Sequence, residues 1–450
     1  MKLITTLYEG NVKSVVTKEC QAVKEIKGVE NKVINLYPER NYQTFLGFGG
    51  AVTEAAGFAF SKLSKEQQEM AVDCYYGEQG NRYSFVRSHI DSCDFSLGVY
   101  SAMNDPADTK MTSFSLARDE QYILPLLKAV KEKSGDHIEI MLSPWSPPAF
   151  MKTNGEKIHG GKLKPEYRKF WAEYICRYIK EYEKQGYSVN RITVQNEPAA
   201  VQTWDSCIYS AEEEKEFLRD YLYPTLVEQN LGHIKIFIWD HNKELMYERA
   251  KAIIDETTDS MVSGVAFHWY TGDHFDAITL THDAFPSKEL IFTEGCVEYS
   301  RFGTNQLENA QMYAHDILGN LNGGMNAFID WNIFLDEKGG PNHVGNHCDA
   351  PIMVDTEAGT FHKNLSYDYI GHFSRFILPG AKRIGLTKYT YDLEATAFKN
   401  TDGSIVMTAL NRTGKDIPAV IRLNGSLIEL EIAKSAIATF VIPVNEVPTV

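Results

Sequence analysis

The chain has 450 residues, 43% hydrophobic and 23% charged, which excludes a disordered or fibrous protein and leaves a globular one able to bury a core. Lysine and arginine number 45 against 60 acidic residues, a net charge of −15 with no block of five or more like charges, and this excludes nucleic acid as a partner. No stretch of 18 apolar residues occurs, so no membrane-spanning helix is expected.

At the start, Met1-Lys2-Leu3-Ile4-Thr5-Thr6-Leu7-Tyr8-Glu9-Gly10 lacks the apolar run and cleavage site of a secretory leader. The seven cysteines, Cys20, Cys74, Cys93, Cys176, Cys207, Cys296 and Cys348, are odd in number and never form a CxxC pair. Reduced thiols and a cytoplasmic location are therefore expected. Residues 11–43 carry strand-like stretches. From Thr44 to Asn332 eight short apolar runs follow: Thr44–Gly50, Ser84–Asp91, Ile138–Trp145, Ile192–Glu197, Ile234–Asp240, Val262–Tyr270, Leu290–Glu294 and Met325–Asn332. They are rich in β-branched and aromatic residues, as buried parallel strands require. Helical periodicity separates them, clearest in Pro165–Glu183, and Ser64–Gln67 and Ser210–Glu213 read as capping boxes.

Eight such units predict an α/β fold of the (β/α)8 barrel type. An open doubly wound sheet is the alternative. The turn Gly47-Phe48-Gly49-Gly50 argues little for it, because it lacks GxGxxG spacing and an acidic ribose ligand; its glycines read as serving a tight turn. After about Pro379 the pattern becomes period-two alternation with turn signals. The expected organisation is a barrel over 44–378 and a β side domain, a sandwich, assembled from 1–43 and 379–450.

A barrel of this kind carries its active site at the C-terminal ends of the strands. Glu197, in Gln195-Asn196-Glu197-Pro198, is expected at the end of the fourth run, and Glu294, in Thr293-Glu294-Gly295, at the end of the seventh. Two carboxyl groups are what glycoside hydrolysis needs, one protonated to donate to the leaving oxygen and one ionised to attack or to activate water. The 12% aromatic content, with 24 Tyr and 6 Trp, suits stacking on sugar rings. A histidine-bound metal is disfavoured by spacing: the first run ends without a His-x-His pair, and His268, Asp330, His343 and His347 form no coherent ligand set. No P-loop or serine nucleophile elbow occurs. No metal and no cofactor are expected.

The segments Phe45–Ala51, Ser92–Ser96, Ser143–Pro148, Gln195–Pro198, His268–Tyr270, Thr293–Cys296, Asp330–Asn332 and Gly339–Pro351 resemble, in order, glycoside hydrolase family 30, and within it the glucosylceramidase (acid β-glucosidase) branch. The resemblance runs from about Phe45 to the C-terminus. It implies a barrel with a β side domain built from both termini and a retaining double displacement, with Glu197 as acid/base and Glu294 as nucleophile. It also implies that Arg87 and Tyr270 contact the nucleophile and favour its charged form, and that Asn196 binds the sugar 2-hydroxyl. Asp94, Trp145, Trp331 and Asn346 would grip the remaining hydroxyls and the ring face.

Trp204 reads equally as a leaving-group platform or as loop packing, His268 as an orienting residue and Asp240 as a hydrogen-bonding support. The expected activity is exo-acting release of a terminal β-D-glucosyl residue from a carbohydrate or glycoside. β-Xylosidase, β-fucosidase and β-1,6-glucanase activities are the alternatives within the family, and a non-catalytic sugar-binding barrel is the alternative of another class. Without a leader or paired N-terminal cysteines, ceramide is doubtful as the natural aglycone. The sequence specifies no oligomeric state.

Overall fold

In the computed structural model, which describes residues 1–449, eight parallel strands close into a barrel: Gly47–Ala51, Phe85–Ile90, Glu139–Pro144, Val189–Thr193, Lys235–Asn242, Gly264–His268, Glu289–Glu294 and Ala327–Asn332. Each overlaps one predicted run, and the open-sheet alternative is excluded by closure between the eighth strand and the first, which pairs Ala327 with Gly47 and Phe328 with Phe48. The lower interior is filled by Phe85, Met141, Phe237, Ala266, Ile291, Ala327 and Ile329, a packed core rather than a pore.

The glycines of the first strand correct the tight-turn reading. They lie within the strand, and a Cβ on Gly49 would stand 2.3 Å from the Phe85 carbonyl oxygen. At Gly49 the missing side chain admits the neighbouring strand, since a Cβ there would collide with its backbone.

Of the two predicted capping boxes, Ser210–Glu213 is complete in both directions. At Ser64 only the hydroxyl contact to the Gln67 amide forms, at 3.3 Å. The helix Arg168–Lys184 follows a short 3-10 turn at Pro165–Tyr167 and buries Trp171, Tyr174, Ile175, Tyr178, Ile179 and Tyr182. Its tyrosines, four residues apart, hang their hydroxyls on two buried carboxylates: Tyr174 donates to Asp91 at 2.7 Å, and Tyr178 and Tyr182 donate to Asp119 at 2.6 and 2.8 Å. These contacts anchor the helix against the loop after the second strand, and they satisfy polar groups that would be costly to bury alone.

Three short strands, Phe334–Asp336, Ile352–Asp355 and Thr360–Lys363, form a small sheet of their own, and the other ten form one sheet, drawn from Lys2–Glu9, Val12–Glu19, Val23–Lys24 and Val33–Thr44 at one end of the chain and from six strands between Lys382 and Ile442 at the other. Lys2–Glu9, which the strand-like pattern of 11–43 did not include, pairs antiparallel with Ala436–Ile442. Strands Ile405–Asn411 and Ser426–Ile432 are far apart in the sheet order yet share one apolar core through Met407, Ala409, Ile428 and Leu430. The sheet therefore folds over on itself as a sandwich. No helix among the described residues is long and apolar enough to cross a membrane.

Candidate active site

The C-terminal ends of the barrel strands are irregular, and that irregularity builds the site. Pairing between the fifth and sixth strands skips Asp240, between the sixth and seventh it skips Thr293, and between the eighth and first it skips Trp331. Such bulges re-aim side chains that strict alternation would send outward. Trp239 and Asp240 both have positive φ, 73° and 46°.

The fourth strand ends at Thr193, so Glu197 is not at a strand end as expected. It stands four residues beyond, in a left-handed conformation with φ of 47°. Neighbouring strands pin this turn: the Asn196 amide donates to Pro144 O at 2.8 Å and the Glu197 amide to Asp240 O at 2.9 Å. A strained φ persists where surrounding bonds fix it in this way.

Arg87 rises inside the second strand, fully buried. Its guanidinium donates to Glu294 at 2.7 Å, Asn196 at 2.7 Å, Asp240 at 2.9 Å and Ser143 at 3.1 Å. Trp145 and Trp331 stack on each other with centroids 5.3 Å apart and flank the same cation, at 4.8 and 5.4 Å. The Tyr270 hydroxyl donates to the other oxygen of Glu294 at 3.0 Å. Asp240 gathers Thr193 at 2.7 Å, Thr293 at 2.6 Å and His268 Nε2 at 3.1 Å. His268 Nδ1 faces Glu197 at 3.3 Å, His241 Nδ1 stands 3.7 Å from the same oxygen, and Gln202 donates to the second oxygen at 3.5 Å.

These contacts set the charges. Burial opposes a proton on His268, yet the Glu294 carboxylate and the bonds to Asp240 and Glu197 override it and push the imidazole up to about 9. Burial also acts upward on Glu197, but His241 and His268 outweigh it and bring that carboxyl down to about 2. Glu294 is pushed up by burial and by the Glu197 charge, against the pull of His268 and Arg87. Burial, Glu294 and Glu197 hold Asp94 well above the carboxylate range.

In the substrate-free site the two carboxyls are thus pushed in opposite directions, Glu197 downward by His241 and His268 and Glu294 upward by burial. His268, raised by its carboxylate neighbours, stands one hydrogen bond from Glu197 and is the nearest proton donor to it.

The structure brings nine of the expected residues to the wall of one cavity of about 360 Å³: Glu197 and Glu294, Asn196 and Tyr270 beside them, Trp145 and Trp331 at its base, and Asp94, Asn346 and Trp204 around it. Arg87 and His268 lie fully buried behind this wall. Trp204 is half-buried, lines the cavity and packs against the cluster that holds Trp145 and Trp331. Sequence reasoning missed His241, Gln202, Asn242 and Cys296, which also line the cavity. His241 could have been noticed only through its place next to Asp240, since nothing in the alternation points it at Glu197. Glu197, His241 and His268 are the group of three that could converge on a metal ion among the described residues; both ring nitrogens of His268 already face carboxylates, which makes the group a proton-sharing unit as it stands.

A closed parallel barrel with paired carboxylates and stacked indoles at its mouth defines a carbohydrate-cleaving enzyme, a glycoside hydrolase. The chain belongs to glycoside hydrolase family 30: the family's TIM-barrel domain matches residues 45–377 and its beta sandwich domain residues 380–440. The chain is 32% identical over 409 residues to the lysosomal acid glucosylceramidase of Mus musculus, covering 86% of this chain and 79% of that protein. An endo-1,6-beta-D-glucanase of Neurospora crassa is 27% identical, with coverage of 90% and 87%. Among solved structures, SrfJ from Salmonella typhimurium is 37% identical with a TM-score of 0.93, covering 98% of this chain and 99% of that one.

Proposed function

We propose that the protein is an exo-acting retaining β-glycosidase that releases a terminal β-D-glucosyl residue without a cofactor. The observation that carries this reading is the arrangement around one cavity: Glu294 held by Arg87 and Tyr270 on one side, Glu197 facing His268 Nδ1 at 3.3 Å on the other. When the substrate fills the cavity and displaces water, the Glu197 carboxylate loses solvation and takes the proton from His268 Nδ1. Glu294 attacks the anomeric carbon, the glycosidic C–O bond breaks, and the Glu197 proton passes to the leaving oxygen. Glu294 is then esterified and uncharged. Water gives a proton to Glu197 and attacks the anomeric carbon, and Glu294 leaves as the carboxylate.

Asn196, held by Arg87 at 2.7 Å, is placed in this reading to bind the 2-hydroxyl, a contact that strengthens in the transition state. The cavity size, about 360 Å³, falls in the range of small-molecule sites and supports binding of one sugar with the start of its leaving group. A second reading, endo action on a β-1,6-glucan, is favoured by the 27% identity to the fungal endo-1,6-glucanase. The deciding experiment is a panel of aryl β-glucoside, xyloside, fucoside and galactoside substrates together with a β-1,6-glucan, the first-formed anomer being followed by NMR. The reading requires β-glucose as the first product and glucose alone from the polymer end. An α-anomer, or oligosaccharides released at early times, overturns it. We extend the proposal to an intracellular enzyme acting on imported glycosides, and fractionation that recovers the protein in the medium would contradict that part.

A further inference from the structure

We propose that Cys296 and Cys348 form a redox-modification site in the wall of the sugar cavity, converted reversibly to a disulfide by a peroxide that enters through it. Their Sγ atoms lie 3.0 Å apart, the one contact between thiols among the described residues, and both side chains line the cavity. The contact is built by backbone. The Asp349 amide donates to Val297 O at 2.8 Å and the Tyr299 amide to His347 O at 3.1 Å, with Glu298 bridged antiparallel to Cys348. This short ladder fastens the segment after the seventh strand to the loop after the eighth, so the two sulfurs are held together rather than meeting by side-chain motion. A disulfide needs an S–S separation of about 2.0 Å, so closing from 3.0 Å asks for a shift of about 1 Å.

Cys296 donates its S–H to the Cys348 sulfur. That contact and burial push Cys296 well up; Cys348 is raised too, by burial and nearby carboxylates, but the same contact offsets part of that rise. Cys348, which accepts the S–H of Cys296 and is the less raised of the two, is the attacking sulfur. Its thiolate attacks one oxygen of hydrogen peroxide, the O–O bond breaks, and the departing hydroxide takes the proton released on ionisation and leaves as water. The sulfur of Cys296 then attacks the Cys348 sulfenic acid, and the hydroxyl departs with the Cys296 proton as a second water. Two thiols and one peroxide give one disulfide and two waters. The sulfurs lose two electrons and the peroxide gains them.

The site is placed to affect the reaction. Cys296 follows Glu294 by two residues, and its sulfur is 3.7 Å from the Tyr270 hydroxyl that holds Glu294. Cys348 follows Asn346 of the cavity wall by two residues. A shift of about 1 Å at this point is expected to lower kcat/KM about tenfold. That consequence rests on the glycosidase reading above, whereas the bond formation does not.

The test treats the full chain with hydrogen peroxide, quenches with catalase, and reads the intact mass, the peptides and the rate on an aryl β-glucoside. The expected result is a loss of about 2 Da, a peptide cross-linked between 296 and 348, an approximately tenfold lower rate, and recovery of mass and rate with dithiothreitol. Cys348→Ser should form no cross-link and keep its own untreated rate through the treatment. Absence of the cross-link after full oxidation, a cross-link with unchanged rate, or equal loss of rate in Cys348→Ser overturns the proposal. An untreated protein inactive on every glycoside instead counts against the glycosidase reading, and the cross-link then decides the thiol chemistry alone.

Discussion

Glu294 and Glu197 stand on two sides of one cavity, and their supports differ in kind. Glu294 is the last residue of the seventh strand itself, and two donors hold it at 2.7 and 3.0 Å, one of them a buried guanidinium. Glu197 sits in a left-handed turn beyond its strand, with partners at 3.3, 3.5 and 3.7 Å. In the proposed double displacement, short charge-assisted bonds suit the group that keeps one role, and longer contacts to ring nitrogens the group that must exchange a proton. Asp240 joins the two sides, since it holds Arg87 with one oxygen and His268 with the other.

The comparison breaks first at Glu294. Glu294→Gln should lower kcat/KM on an aryl β-glucoside about 10⁴-fold or more, with partial rescue by azide to give the α-glycosyl azide; a rate within tenfold of the parent would remove Glu294 from the chemistry. Glu197→Gln should cost about 10²- to 10⁴-fold with a poor leaving group and much less with an activated one. Equal losses with both leaving groups would argue against the acid role.

Asp240→Asn acts on both sides at once. It should reduce kcat/KM by about 10²-fold through misplacement of Arg87, and it should move the basic limb of the pH profile downward by removing an anion that raises His268. A profile unchanged in shape would confine Asp240 to the Arg87 side.

In the parent enzyme that limb belongs near pH 9, where His268 loses its proton. The same shift has a sign for stability. A histidine raised from its ordinary value of 6.5 to about 9 by folding contributes stability present in full below pH 6.5 and lost as pH rises through 9. The thermal midpoint should therefore fall across that window, and less in His268→Gln. The smallest effect is expected at Trp204→Ala, where loss of a half-buried ring at the cavity edge should raise KM several-fold for bulky aglycones and leave hydrolysis of small ones nearly unchanged.

Much of this molecule can be read from its residues. All eight barrel strands fall within or beside apolar runs, and the side domain assembled from both chain ends shows in its alternation, because burial against a local neighbour writes a local period. Gly49 was misread for the opposite reason: what it avoids is the Phe85 carbonyl, on another strand. His241 was missed because only the bulge at Asp240 puts it beside Glu197.

What the sequence determined by itself is the barrel, its sandwich and the two acids that line one cavity, since strand periodicity and motif spacing depend on residues close along the chain. Tertiary structure alone decided which histidines stand beside Glu197, that one aspartate ties both acids together, and that Cys296 meets Cys348. Those outcomes depend on desolvation and on contacts between strand ends tens to hundreds of residues apart, and such energies exist only once the barrel has closed.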